Sequence, residues 1–453
     1  MDVASIAERA VSLSEKHGAS QADAYAITVR TRGVYIDDDM PKIGASITET
    51  GVGLRFVLGK KIGFTSSTLT TETLEDLVER AKTMARVSSE DPKFESLPEP
   101  KKISGSSDRF FSRETASVDA DAVTEMAMMV VNSAASDKVT VSNGTLRVSD
   151  LEFRVVNSLG VDAGSRSTTV FGFFAAKSSD SGEVGEGIQR CWSRDLYSID
   201  FSSIGSKLQE QALEVLKAKG FKETLHGITA VLAPSEGSQM LGDLVGASVS
   251  GENINKRSSP WTDKVGDLVA HEGLTVIDNG LSDLGLLSSV VDDEGTPRQA
   301  TTVIEKGVLK SYLFDSYNGN QLEMASTGNG VRRIPREPHG TFGNAVTCGS
   351  TSLEIPPGTK SVDDIISEID RGVYVEHFAW PQVNPMSGAF SNEVRNARLI
   401  ENGELTEQIK YALLVGNLFE SIHSEVLVGN DLEVHDKRVM PTMAFQGLEL
   451  VGQ

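Results

Sequence analysis

The sequence predicts an α+β fold: helix–strands–helix units at the N-terminus, followed by a β-rich, barrel-like C-terminal domain. Three observations lead there. Amphipathic stretches at helical spacing bracket runs of alternating and β-branched residues within the first 90 or so positions. The same order recurs about 115 residues further on, as a degenerate repeat. Beyond residue 270, short strands separated by turn signals dominate, in a chain that carries 42 glycines.

Each element has its own local reason. Val3, Ile6, Ala10 and Leu13 share one helical face, and His17-Gly18 supplies a C-terminal stop, predicting a helix over 3–17. Antiparallel strands are expected at Ala22–Arg30, Val34–Asp37, Ser46–Leu58 and Ile62–Ser66, with Gly59-Lys60-Lys61 as a tight reversal. Thr71 is the expected N-cap of a second helix, whose Leu74, Leu77, Val78, Ala81 and Met84 lie on one face. Pro92, Pro98 and Pro100, set among serines and charges over 88–107, read as a linker with a boundary near 105. The second unit then runs through a helix at 119–135, strands near 139–148, 151–157, 161–176 and 190–197, and a helix at 203–219. A third segment opens with a strand at Ile228–Ala233 and a helix from Ser235 to Val249. It later holds a helix at Val362–Ile369 and a hairpin on Asn402-Gly403. The expected division is 1–105, 106–222 and 223–453.

At 453 residues the chain is long enough for two or three domains with proper cores. Its 64 acidic residues against 43 basic ones give a net charge of −21, which repels phosphate backbones and argues against nucleic acid as a partner. Cys191 and Cys348 lie far apart, without the spacing of a zinc knuckle or redox pair, which favours a reducing compartment. The N-terminus lacks a basic start and apolar run, and no stretch approaches the ~18 apolar residues of a membrane span. A cytoplasmic protein with no membrane partner is expected.

Local motifs for catalysis fail one after another. A zincin needs two histidines on one helix face with a glutamate beside them. His271-Glu272 is the one His-Glu dipeptide, and no second histidine falls within the next six residues. The seven histidines, at 17, 226, 271, 339, 377, 423 and 435, never share a helical turn. Asp37-Asp38-Asp39 and Asp292-Asp293-Glu294 lack the order of a calcium loop and read as solvated turns. Gly51-Val52-Gly53 lacks the third glycine of a dinucleotide loop, and neither a Gly-x-Ser-x-Gly elbow nor a Walker loop occurs.

Longer segments are more informative. Ser326-Thr327-Gly328-Asn329-Gly330, Gly372-Val373-Tyr374-Val375, Gln382-Val383-Asn384-Pro385-Met386-Ser387-Gly388, Leu399-Ile400-Glu401-Asn402-Gly403-Glu404 and Val428-Gly429-Asn430-Asp431-Leu432 resemble segments found in that order in the TldD/PmbA family of metallopeptidases. That resemblance implies a His-Glu-x-x-x-His motif on the helix that opens the C-terminal domain, with a cysteine near the C-terminus completing a zinc site. The matching helix here has Gly242 and Ala247 at the two histidine positions and Asp243 at the glutamate. Two of three zinc ligands are thereby lost, because neither glycine nor alanine has a donor side chain. The family's cysteine has no counterpart after Asp431, where His435 and Asp436 are the remaining candidates for an ion.

The pattern is similar to the PmbA (TldE) type, which in the family pairs with a TldD-type subunit that carries the zinc. What the resemblance implies is a subunit with no catalytic group or cofactor of its own. It would join a zinc-bearing TldD-type homologue in a heterodimer, or form a homodimer, and act on unfolded or extended peptides. A non-proteolytic, homodimeric binding or scaffold protein is the alternative.

Overall fold

The computed structural model describes residues 2–69, 72–332 and 341–452; Thr71 and His339 lie outside the described residues. Helix α1 (Val3–Lys16) starts where Asp2 accepts a hydrogen bond from the Ser5 N–H, and the chain leaves it through Gly18 at φ +91°. Strands β1 (Gln21–Asp37), β2 (Met40–Leu58) and β3 (Lys61–Ser67) follow, then helix α2 (Leu74–Val87). The cap of α2 is Thr73, because only there does an acidic residue, Asp76, stand three positions on to close a capping box. After a short helix α3 (Arg113–Ser117) the order repeats as α4 (Ala120–Ala134), β4 (Val139–Asn157), β5 (Asp162–Asp180), β6 (Glu183–Ser193) and α5 (Phe201–Lys217).

The six strands form one antiparallel sheet in the order β3-β2-β1-β4-β5-β6. Its centre is the β1–β4 ladder, which runs from Asp23 opposite Asn157 to Asp37 opposite Asn143. The two helix–strands–helix units are thus joined edge to edge. On one face α1 and α2 bury Ala24, Leu54 and Phe56, while α4 and α5 bury Ile36, Val141 and Phe174. On the other face Tyr25, Ile27 and Phe153 pack with Val290 and Val291 of the C-terminal part.

Three further sequence expectations change. β1 and β4 are each continuous, where two strands apiece are expected: Arg30 and Arg32 pair across the ladder with Asp150, so charges that interrupt the alternation are a cross-strand ion cluster. The last strand of the sheet starts at Glu183 rather than near 190, after a tight turn at Ser181-Gly182 (φ 51° and 91°). Gly185 and Gly187 hide it, because the backbone of α5 lies where their side chains would be. Asp292-Asp293-Glu294 is buried rather than solvated, at 0%, 6% and 2% exposure. Peptide N–H groups of Thr296, Gly330 and Arg332 donate to the two aspartates, and Arg55 reaches Glu294 from the first unit. Fixed donors have replaced water.

The C-terminal part begins with β7 (Lys219–Gly220), β8 (Thr224–Leu232) and helix α6 (Pro234–Ser248). β8 pairs in parallel with Arg371–Phe378, which pairs with Ala389–Glu401; Ala412–Asn417 and Met443–Gly452 complete a ring that returns to β8. This is a closed five-stranded barrel with Leu232, Val375, Val394 and Phe445 in its core. Asn402 and Gly403, at φ 50° and 80°, make the expected two-residue hairpin. A second, open sheet ends on the strands Arg438–Met440 and Glu433–His435, which lie beside α6. Among the described residues no helix is long and apolar enough to cross a membrane.

Candidate functional site

Helix α6 positions the degenerate motif. Pro234 sits at its first turn, where a missing N–H costs nothing. Met240, Leu241, Leu244 and Val245 anchor one face in the core. Asp243, Gly246 and Ala247 line a cleft of about 320 Å³, together with Asn253 and Ser350.

The hairpin that carries His435 and Asp436 crosses this helix, with His435 opposite Arg438 in its register. Arg438 donates from Nη2 to the Asp243 carboxylate, and its Nη1 lies 3.9 Å from Asp436. The rest of its side chain runs over Gly242: a Cβ at that position would stand 2.6 Å from Arg438 Cδ and closer still to Nε. Arg438 is 9% exposed, and its Nε is buried without a hydrogen-bond partner. His435 turns away, its Nε2 3.0 Å from Glu433 Oε2.

These residues do not fit zinc. Position 242 has no room for an imidazole beneath Arg438, Ala247 has no donor atom, and Asp243 is engaged by a guanidinium. Among the described residues, no three His, Cys, Asp or Glu side chains converge as a metal site. The structure therefore brings Asp243 and Asp436 together around a cation supplied by the chain itself. Burial pushes both thiols, Cys191 and Cys348, up to about 12, which disfavours the reactive thiolate.

A second cluster was not visible in the sequence. A cleft of about 480 Å³ separates the outer wall of the barrel from α5 and β6, with His377, Glu376, Tyr374 and Arg398 among its lining residues. Behind the lining residues Ser235 and His377, Glu236, 1% exposed in the first turn of α6, accepts from the Phe378 N–H and the Ser235 hydroxyl. His377 Nδ1 is 3.3 Å from the same carboxylate. Burial opposes ionisation of Glu236, but its hydrogen bonds with His377 and the Phe378 N–H outweigh it and hold the carboxyl below its usual range. Glu376 behaves oppositely: burial and the nearby Glu214 raise it against the pull of Arg398. No sequence signal links positions 236 and 377; only the parallel pairing of β8 with Arg371–Phe378 brings them together.

Comparisons with known proteins place this geometry. Family models match in chain order: PmbA/TldA metallopeptidase domain 1 over residues 22–85, its central domain over 113–216 and its C-terminal domain over 226–452. An uncharacterized protein of Methanocaldococcus jannaschii is 26% identical, over 97% of this chain and 98% of that protein. A metalloprotease TldD homolog of Buchnera aphidicola is 30% identical, over 60% of this chain and 52% of the homolog's own length. Among solved structures, TldE from Thermococcus kodakarensis superposes with a TM-score of 0.88 at 24% identity, covering 98% of this chain and 99% of that one, which shows a shared fold. Since the C-terminal domain model alone accounts for half of its residues, and the other two precede it in order, the chain belongs to the PmbA/TldA metallopeptidase family, the TldD/PmbA family that its motifs resemble.

Proposed function

We propose that this chain is the PmbA (TldE)-type subunit of a TldD/PmbA metallopeptidase and that a TldD-type homologue supplies the zinc. One observation carries the reading. Where the catalytic type carries the two histidines and the glutamate of its motif, this chain has the Asp243–Arg438 ion pair lying across Gly242. Such a site binds no Lewis acid, so its contribution to peptide cleavage is to complete the assembly and hold substrate. An unfolded or extended peptide is the substrate class, because pairing through backbone groups at strand edges gives affinity with little sequence preference. A cytoplasmic address is part of the proposal, and the two free thiols accord with it.

The test is reconstitution. The chain is purified alone and with a zinc-bearing homologue from the same host, and cleavage of an unfolded peptide and metal content are measured for each. The expected result is background activity for the chain alone and chelator-sensitive cleavage for the mixture, above that of the homologue by itself. Chelator-sensitive cleavage by the chain alone overturns the proposal. A stable homodimer that neither binds the homologue nor changes its activity favours the non-proteolytic binding or scaffold protein.

A further inference from the structure

Gly242 and Arg438 lie far apart in the sequence, and the fold sets one directly against the other. Gly242 is buried, and the Arg438 side chain fills the volume that any side chain at 242 would need. The guanidinium is itself nearly buried, with Asp243 as its hydrogen-bonded carboxylate and Asp436 at 3.9 Å. A cation held among carboxylates on the helix where the catalytic type places a metal meets the same electrostatic demand that a metal would.

We infer that Arg438 is a built-in cation that replaces the family's metal and locks the motif shut, with Gly242 as the residue that admits it. The inference rests on the subunit reading above and extends it. The degenerate motif is then a coupled Gly242–Asp243–Arg438 unit, and restoring histidines alone will not reopen it. Arg438 acts as a positioning residue: it fixes the hairpin of Glu433–His435 and Arg438–Met440 against α6, and so shapes the wall of the cleft beside Ala247.

A double-mutant cycle read by thermal unfolding tests the coupling on the isolated chain. Gly242→Ala in the parent should lower the unfolding midpoint, because its Cβ collides with the Arg438 side chain. In an Arg438→Ala background the same change should raise the midpoint, because alanine is the better helix former and the space is now open. The sign must reverse. Removing Arg438 leaves Asp243 without its partner, so an Asp243→Asn, Arg438→Ala background serves where the single variant folds poorly.

Zinc binding gives the second readout, by competition with a chromogenic chelator. Gly242→His with Ala247→His should bind zinc at least about tenfold more tightly when Arg438 is also replaced by alanine, as removal of an opposing charge and a steric block requires. Equal destabilisation by Gly242→Ala in both backgrounds, or equal zinc affinity with and without Arg438, overturns the inference. Neither measurement involves the partner, so this failure is distinct from a failure of reconstitution, which bears on the subunit reading alone.

Discussion

At the scale of residues, the strongest features of this molecule are buried charges whose partners lie far away in sequence. Asp23, 1% exposed, accepts from Arg55 Nε at 2.6 Å and from Arg332 Nη2 at 3.2 Å, and Arg55 continues to Glu294 at 3.3 Å. Removing one partner of such a network strands charge in the interior, which costs more than the intact pair contributes. Asp23→Asn should therefore lower stability by about 3–5 kcal/mol, read as a shift in the denaturant midpoint; a change within about 0.5 kcal/mol, the range of ordinary surface substitutions, would show that the guanidinium groups find other acceptors. Glu376 makes the opposite case. Folding raises its pKa, so the folded state holds the proton more tightly than the unfolded chain does, and stability falls as pH rises above the ordinary glutamate range. Glu376→Gln removes that dependence. It should raise the thermal midpoint relative to the parent at about pH 8, with the gain vanishing at about pH 4, and a gain equal at both values would trace to packing instead. None of this was legible in the sequence. Asp292-Asp293-Glu294 looks like any acidic turn, because what distinguishes it, donors from Gly330, Arg332 and Arg55, arrives from elsewhere in the chain.

At the scale of elements, the helices were legible because their signals are local. Asp2, Asp119 and Asp200 each accept from the backbone N–H three residues on, and the apolar faces of α1, α2, α4 and α5 repeat at helical spacing. Strand limits were harder, since Asp150 inside β4 and Gly185 inside β6 are explained by a facing strand and a facing helix. The stretch over 88–107 divides in the same way. Its composition is that of a linker, yet Phe94 and Leu97 are 5% and 3% exposed against Val57, and the Leu97 N–H donates to Gln21. From Glu99 to Ser106 the side chains are mostly exposed. Limited proteolysis should therefore cut first within 99–106, and only later within 89–98, because a protease needs several residues of unfastened backbone. Mass spectrometry of the earliest fragments decides this. Cleavage beginning at 89–98 would mean that the Phe94–Leu97 contact opens readily, and cleavage inside 120–217 would mean that the second unit is the weaker one.

At the scale of the whole molecule, the sheet passes straight across the expected division at about 105. β1 gives one edge to β2 and the other to β4, so fifteen residue pairs from Asp23 to Asp37 join the first unit to the second. The face of β1 that carries Tyr25 and Ile27 is covered by Val290 and Val291, and Asp23 holds Arg332 of the C-terminal part. A segment ending near 105 would expose a long central strand edge and an apolar sheet face at once, and would strip Asp23 of Arg332 and Arg55 of Glu294. Each of these is a known source of aggregation or instability in an isolated piece. Protein nicked within 99–106 should consequently elute from size exclusion as one species of unchanged size, with both fragments in the peak. They should separate only when denaturant unfolds the sheet, and the 1–105 segment produced alone should be insoluble or unfolded by circular dichroism. A soluble 1–105 segment with a cooperative thermal transition would show that the first unit folds by itself and that the β1–β4 ladder is an interface between finished domains. Dissociation of the nicked pieces in plain buffer would show in addition that the interface is weak, and the continuity of the six-stranded sheet would then have little energetic meaning.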